Sequence, residues 1–127
     1  MPATILVLED DPALQELLCE VLADEGHAVV AADTLPALLG RMPTTPDLLI
    51  SDMLVDLQPV GLQAIAAVRS SASREVPAIL CTAAATHVER YRAEIDCLGA
   101  IVLAKPFSID SLIHTVNTAL TSKPLCA

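Results

Sequence analysis

The sequence has few aromatic residues and few basic ones. Tyr91 and Phe107 are the only aromatics among its 127 residues, and we expect both rings to pack in the core rather than to bind a nucleotide base. Seven basic residues stand against sixteen acidic ones, giving a formal charge of −9. A surface of this sign repels phosphate backbones and anionic lipids, which argues against direct binding to nucleic acid or to a membrane.

The hydrophobic runs are short. None approaches the roughly 18 apolar residues of a membrane helix. The first four residues lead directly into an apolar run, without a basic region before a long hydrophobic segment, so we expect no signal peptide. These features predict a cytoplasmic protein.

The cysteines lack the spacing of a metal site. The four are Cys19, Cys81, Cys97 and Cys126, and each lies among apolar neighbours in the sequence. We therefore expect reduced thiols packed inside the protein, with a metal or redox role as the alternative.

The length and the apolar content of the chain are those of a single domain. An apolar content of 54% over this length is enough for a single core. Nine prolines and four glycines fall mostly between the apolar runs, as expected of short connections. We predict one domain over residues 1–127, with a core over about 4–120 and a short tail over 121–127.

Apolar runs of two kinds alternate along the chain. Short continuous runs predict buried strands, and longer segments with apolar residues at helical spacing predict amphipathic helices. The predicted strands cover residues 4–8, 27–31, 47–52, 76–81 and 100–104, and the predicted helices lie at 12–25, 35–39, 62–68, 85–98 and 108–120.

Five strands alternating with five helices predict an α/β fold. Such alternation implies a doubly wound parallel sheet with right-handed crossovers and helices on both faces. The flavodoxin-like strand order 2-1-3-4-5 places a crevice between the carboxyl ends of strands 1 and 3. In that order Glu9, Asp10 and Asp52 line the crevice, and Thr82 and Lys105 lie on its far side.

The three carboxylates predict a cation site. Close pairs of like charges repel by about 4 kcal/mol at an effective dielectric of 20, so a compensating charge is required. Mg²⁺ takes oxygen ligands alone, typically one or two carboxylates with waters and a phosphate oxygen. Asp52 would then be a nucleophile toward phosphorus, with Lys105 and the Thr82 hydroxyl holding the charged oxygens.

At these residues the sequence resembles the receiver domain of two-component response regulators. The resemblance runs from about residue 4 to 120 and rests on Glu9-Asp10, Asp52, Thr82-Ala83 and Lys105-Pro106, which follow predicted strands in the family's order. It implies that Asp52 accepts a phosphoryl group from a histidine kinase or a histidine phosphotransfer protein.

The resemblance also implies a role for each site residue. Glu9, Asp10 and Asp52 would bind Mg²⁺ together with the Leu54 carbonyl. Thr82, the Ala83 amide and Lys105 would contact the phosphoryl group. A receiver catalyses its own phosphorylation and dephosphorylation without being a conventional enzyme, and it acts by binding a downstream protein; a phosphorylation-dependent homodimer is left open. The resemblance further suggests a cis Lys105-Pro106 peptide bond.

The sequence departs from the family pattern at several positions. No Met-Pro pair follows Asp52, and Gly61 comes one residue later than is common. Val102 stands where the family usually has an aromatic switch residue. The histidines, His27, His87 and His114, are scattered singly, and we expect structural or surface roles for all three.

Other functional classes remain as alternatives to a receiver domain. A phosphatase of the haloacid dehalogenase type also uses a strand-end Asp, but it carries a second Asp two residues later, where this chain has Leu54. A pseudo-receiver that only binds a partner, without phosphorylation, is the main alternative; it would usually lack one of the acidic residues or the lysine. A third alternative is that the chain is a piece of a larger regulator.

Overall fold

The computed structural model describes residues 2–55, 58–72 and 74–121. Five strands and six helical segments lie in this part of the chain. In chain order they are β1 (Thr4–Leu8), α1 (Pro12–Asp24), β2 (Ala28–Ala32), α2 (Leu35–Arg41), β3 (Leu48–Asp52), α3 (Val60–Ala72), β4 (Ala78–Thr82), α4 (Ala85–Arg90), α5 (Arg92–Leu98), β5 (Ile101–Ala104) and α6 (Ile109–Thr121). The predicted tail beyond Thr121, with Cys126, lies outside the described residues.

The strands form one parallel sheet in the predicted order. That order is β2-β1-β3-β4-β5, and every neighbouring pair is parallel. The central strand, β3, runs beside β1 with Leu6 opposite Leu49. Their carboxyl ends therefore meet at one edge of the sheet, as the doubly wound α/β fold requires.

The core lies in two layers, one on each face of the sheet. Successive strand residues point to opposite faces, so Leu6 and Leu8 join one apolar cluster while Ile5 and Val7 join the other. Helices α2 to α5 cover the first cluster, and α1 and α6 cover the second. Burial on both faces explains why residues 5–8 of β1 and 48–50 of β3 are continuous apolar runs rather than alternating ones.

Local signals in the sequence fix the helix ends. Pro12 stands in the first turn of α1, and the Asp11 carboxylate accepts hydrogen bonds from the amides of Ala13 and Leu14. Ser108 Oγ accepts from the Ser111 amide at 3.0 Å, which is the predicted cap of α6. Gly99 has a left-handed φ of 66° and ends α5, as predicted.

The single helix predicted over residues 85–98 is divided. Tyr91 separates α4 from α5 with non-helical angles of φ −110° and ψ 17°. Its ring packs against the core cluster and lies under the Arg90 guanidinium, 5.7 Å away. The apolar spacing in the sequence does not reveal this interruption, because Val88 before it and Ile95 after it are both buried.

Several predicted boundaries are also shifted. Helix α3 covers Val60–Ala72 and extends beyond both ends of the helix predicted at 62–68. The Arg69 guanidinium donates a hydrogen bond to the Val76 carbonyl at 3.0 Å, which ties this end of the helix to the start of β4. Helix α2 passes through Gly40, the predicted stop, and ends at Arg41.

The cysteines only partly match the prediction. Cys19, Cys81 and Cys97 are free thiols, and Cys81 is buried in β4. Cys97 is exposed, which corrects the expectation of a packed side chain, since its position on α5 turns away from the buried Ile95. Among the described residues, no helix has both the length and the apolar character to cross a membrane.

Candidate functional site

Charged and hydroxyl side chains gather where the parallel strands end. They surround a cavity of about 300 Å³. Its lining contains every residue predicted for the site, namely Glu9, Asp10, Asp52, Leu54, Thr82, Ala83 and Lys105, together with Asp11, Cys81, Ala84 and His87. The structure therefore brings the predicted residues to one place; the role of each stays a prediction.

The acidic cluster lies at the carboxyl ends of β1 and β3. Glu9, Asp10 and Asp52 each offer one carboxylate oxygen, and these oxygens lie within 4.8 Å of one another. Glu9 and Asp52 are buried, with 2% and 6% of their surface exposed, whereas Asp10 is exposed. Burial, and then a hydrogen bond shared with Asp52, raises the pKa of Glu9 to about 8.

The backbone around Glu9 fixes its carboxylate. Its amide donates to the Ala32 carbonyl at 3.1 Å, and its carbonyl accepts from Gln15 Nε2 at 2.9 Å. The Asp11 amide donates to Glu9 Oε2 at 3.2 Å. The Asp11 amide thus holds Oε2, and Oε1 accepts a hydrogen bond from the Lys105 ammonium.

Lys105 supplies the positive charge. Its ammonium donates hydrogen bonds to Glu9 Oε1, at 3.1 Å, and to Asp52 Oδ1. Burial of Lys105 would lower its pKa, but the bond to Asp52 and the two negative charges outweigh burial, so its pKa is raised. The peptide bond between Lys105 and Pro106 is cis, which confirms that prediction.

Thr82 is held at the end of β4 by its own loop. Its Oγ1 accepts a hydrogen bond from the Ala84 amide at 3.2 Å, and its carbonyl accepts from the Lys105 amide at 2.8 Å. The cap residue of α4 is Ala84, without a side-chain hydrogen bond. Thr82 therefore orders the loop before α4 rather than capping the helix itself.

Gly61 lets α3 approach the loop after Asp52. A Cβ added at Gly61 would lie 2.6 Å from the Asp52 carbonyl oxygen and 3.0 Å from the Met53 Cα. The Gly61 amide donates to the Met53 carbonyl at 3.1 Å. Glycine at this position thus fixes the backbone that carries the Asp52 carboxylate.

The donor set fits a hard divalent cation. Its ligand atoms are all carboxylate oxygens, which is what Mg²⁺ prefers. Two of the three carboxylates are buried side by side, and Lys105 is the cation that contacts both of them among the described residues. The remaining negative charge favours an added cation at this position.

His87 was not predicted for the site. It lies in α4, half-buried, and lines the cavity. The other two histidines match the expected structural or surface roles: His27 Nδ1 accepts a hydrogen bond from the Ala3 amide, and His114 is exposed. Its position in the sequence could have indicated its place in the cavity, because His87 is in the first turn of the helix that follows the end of β4 at Thr82.

Comparisons with known proteins identify the family to which the chain belongs. The model of the response regulator receiver domain matches residues 5–117. The phosphate regulon transcriptional regulatory protein PhoB of Escherichia coli is 27% identical over 122 residues, which cover 94% of this chain and 52% of PhoB. The transcriptional regulatory protein PdtaR of Mycobacterium tuberculosis is 31% identical over 125 residues, covering 95% of this chain and 58% of PdtaR. The chain thus spans about half the length of the curated relatives that it matches.

A solved structure gives the same result for the fold. The non-phosphorylated HemR receiver domain from Leptospira biflexa superposes with a TM-score of 0.79 at 25% identity, covering 96% of this chain and 97% of that one. Fold, sequence relatives and the family model therefore agree. The chain belongs to the response regulator receiver domain family.

Proposed function

We propose that Asp52 accepts a phosphoryl group from a histidine kinase or a histidine phosphotransfer protein. The observation that carries the proposal is the Lys105 ammonium, which contacts the buried carboxylates of Asp52 and Glu9 beside an open cavity. The proposed nucleophile, Asp52, thus lies beside a cation and a second carboxylate. This arrangement suits phosphoryl transfer, which depends mainly on positioning and electrostatic stabilisation.

Four residues would hold a Mg²⁺ ion. They are Glu9, Asp10 and Asp52, through carboxylate oxygens, and Leu54, through its carbonyl. When bound, the ion neutralises charge on the oxygens of the transferring phosphoryl group. The cluster of the three carboxylates supports this assignment, and Leu54 lines the same cavity.

The transfer exchanges one bond to phosphorus for another. An oxygen of the Asp52 carboxylate attacks the phosphorus of the donor, the bond between phosphorus and the donor histidine nitrogen breaks, and its electron pair stays on that nitrogen. Lys105, already bonded to Asp52 Oδ1, pairs with an oxygen of the new acyl phosphate. The Thr82 hydroxyl and the Ala83 amide stabilise the other phosphoryl oxygens.

The phosphorylated protein would act on other proteins. Formation of the acyl phosphate draws Lys105 and Thr82 toward new oxygen partners, and this rearranges the loops before α4 and α6. A changed surface there would alter binding to a downstream protein or to a second copy of the chain. The kinase partner, the cytoplasmic location and a single receiver domain over residues 1–127 are parts of the same proposal and rest on the family membership.

The test is phosphorylation by a small donor. The protein is incubated with acetyl phosphate, with Mg²⁺ or with a chelator, and its intact mass is measured. We expect the mass of one added phosphoryl group with Mg²⁺ and none with the chelator. Asp52→Asn should take up no phosphoryl group, whereas Asp24→Asn, at an exposed position at the end of α1, should behave as the unmutated protein does.

The same experiment addresses the pseudo-receiver alternative. A protein that acts only by binding would show no added mass under either condition. Uptake by Asp52→Asn would also contradict the proposal, because the phosphoryl group would then reside on another residue.

A further inference from the structure

His87 and Asp10 are the polar side chains lining the cavity that make no hydrogen bond or ion pair among the described residues. His87 lies half-buried in α4 and faces the same space as Asp52 and Lys105. Its imidazole makes no hydrogen bond or ion pair within residues 2–55, 58–72 and 74–121. Its backbone is held in the helix, since the His87 amide donates to the Ala84 carbonyl at 3.2 Å.

The other polar groups around the cavity are engaged. Thr82 Oγ1 accepts from the Ala84 amide, and the Asp11 carboxylate caps α1. Glu9 and Asp52 share the Lys105 ammonium. The proposed cation site accounts for Asp10. His87 is left with an unengaged imidazole, whose nitrogens can donate or accept a hydrogen bond.

Two apolar residues of the cavity lining cannot orient a water molecule with their side chains. They are Leu54, two positions after Asp52, and Ala84, two positions after Thr82. An acyl phosphate on Asp52 is hydrolysed only when a water oxygen approaches phosphorus in line with the bond that breaks. A group that holds this water contributes to the rate by orientation.

We propose that His87 positions the water that removes the phosphoryl group from Asp52. This inference rests on the proposed function, because it presupposes that Asp52 carries a phosphoryl group. It assigns a lifetime-setting role to a residue of α4, outside the group of residues that binds the cation and the phosphoryl oxygens.

The step is a hydrolysis. A nitrogen of the neutral imidazole accepts a hydrogen bond from the water, whose oxygen forms a new bond to phosphorus. The bond between phosphorus and the Asp52 oxygen breaks, and its electron pair restores the carboxylate. Both protons of the water leave with the released phosphate, as dihydrogen phosphate, and His87 is unchanged.

The test separates phosphorylation from its loss. The protein is phosphorylated with acetyl phosphate and Mg²⁺, the donor is removed by gel filtration, and the remaining phosphoprotein is followed by intact mass at fixed Mg²⁺. His87→Leu should lengthen the half-life about tenfold or more, because the orienting group is lost. The rate of phosphorylation by acetyl phosphate should stay unchanged.

Two further variants exclude a merely structural effect. His87→Gln retains a hydrogen-bonding side chain of similar reach and should restore most of the hydrolysis rate. His114→Leu makes the same substitution at an exposed position of α6 and should leave the half-life unchanged. Thermal unfolding of all three variants checks that each is folded.

The outcomes distinguish the two proposals. If the unmutated protein takes up no phosphoryl group, the proposed function and this inference are both wrong. If it is phosphorylated but His87→Leu loses phosphate as fast as the unmutated protein, only the role of His87 is wrong. A half-life lengthened equally by His87→Leu and His87→Gln would also overturn it, because the effect would then not depend on a hydrogen-bonding group.

Discussion

The Lys105 ammonium donates a hydrogen bond to Glu9 Oε1 at 3.1 Å, although the two residues are 96 positions apart in the chain. The same ammonium contacts Asp52. A single cation therefore links the ends of β1, β3 and β5 across the sheet. This link makes the site a part of the stability of the fold as well as of its chemistry.

Replacement of Lys105 should destabilise the protein in the absence of Mg²⁺. Lys105→Met leaves two buried carboxylates without their cation, and an unsatisfied buried group costs about 1–3 kcal/mol, or more when it is charged. Glu9 can limit the cost by taking up a proton, because burial raises its pKa to about 8. Urea unfolding measured with a chelator present gives the difference in the free energy of unfolding.

A surface ion pair provides the matched comparison. Arg92 and Asp96 lie 3.5 Å apart on α5, and both side chains are exposed. Arg92→Met should therefore cost no more than about 0.5 kcal/mol. If Lys105→Met and Arg92→Met lower the free energy of unfolding equally, the contacts of Lys105 with the buried carboxylates stabilise the fold no more than a surface ion pair does.

Magnesium should stabilise the native state. Binding to the folded protein alone adds about 2.7 kcal/mol at a hundredfold excess over the dissociation constant. Asp10→Asn should remove most of this gain, since Asp10 is one of the three clustered carboxylates. The measurement is the midpoint of thermal unfolding, followed by circular dichroism with and without Mg²⁺.

Two results would count against the cation site. One is an unchanged midpoint when Mg²⁺ is added to the unmutated protein. The other is an equal loss of the Mg²⁺ effect in Asp24→Asn, whose carboxylate lies outside the cluster and should not affect binding.

Gly61→Ala should disturb the backbone that carries Asp52. The new Cβ would lie 2.6 Å from the Asp52 carbonyl oxygen, and backbone atoms cannot move aside cheaply. Overpacking of this kind typically costs about 1–3 kcal/mol. We expect this loss in urea unfolding, together with slower phosphorylation by acetyl phosphate.

Gly40 in α2 offers the control for that substitution. A Cβ added there has nothing within 4 Å. In a helix interior, alanine is more favourable than glycine by up to about 1 kcal/mol. Gly40→Ala should therefore leave the protein as stable or more stable. If Gly61→Ala behaves in the same way, the close approach of α3 to the Asp52 loop is not constraining.

The thiols should differ sharply in reactivity. Cys97 is exposed, whereas Cys81 is buried and burial raises its pKa to about 12, so little of the reactive thiolate exists near pH 8. Of these two thiols and Cys19, which is half-buried with a raised pKa, peptide mass mapping after iodoacetamide treatment should find Cys97 modified first and Cys19 more slowly. Cys81 should react only after unfolding; rapid alkylation of Cys81 in the native protein would contradict its burial.

The strand order and the site residues were predictable for the same reason. Apolar runs such as 5–8 and 48–50 are too short and too continuous to be amphipathic helices, so they indicate buried parallel strands. Once the order is known, the residues just after the strands must share one edge of the sheet. Glu9, Asp52 and Lys105 were placed together by topology rather than by their distance along the chain.

The remaining features depend on packing that apolar spacing does not encode. Tyr91 interrupts the predicted helix while its ring packs against the core, and Cys97 turns outward on the shorter helix that results. His87 is alone in the sequence, and only the placement of α4 beside Asp52 brings it to the cavity. The link from Lys105 to both carboxylates likewise required the side-chain geometry.

The most direct measurement locates the phosphoryl group on the chain. Protein treated with acetyl phosphate and Mg²⁺ is reduced with borohydride, which converts an aspartyl phosphate into homoserine, and the peptides are sequenced by mass spectrometry. We predict homoserine at position 52 alone, and none when Mg²⁺ is chelated. Homoserine at another acidic position, or its absence from the Mg²⁺ sample, would contradict the assignment of Asp52 as the phosphoacceptor.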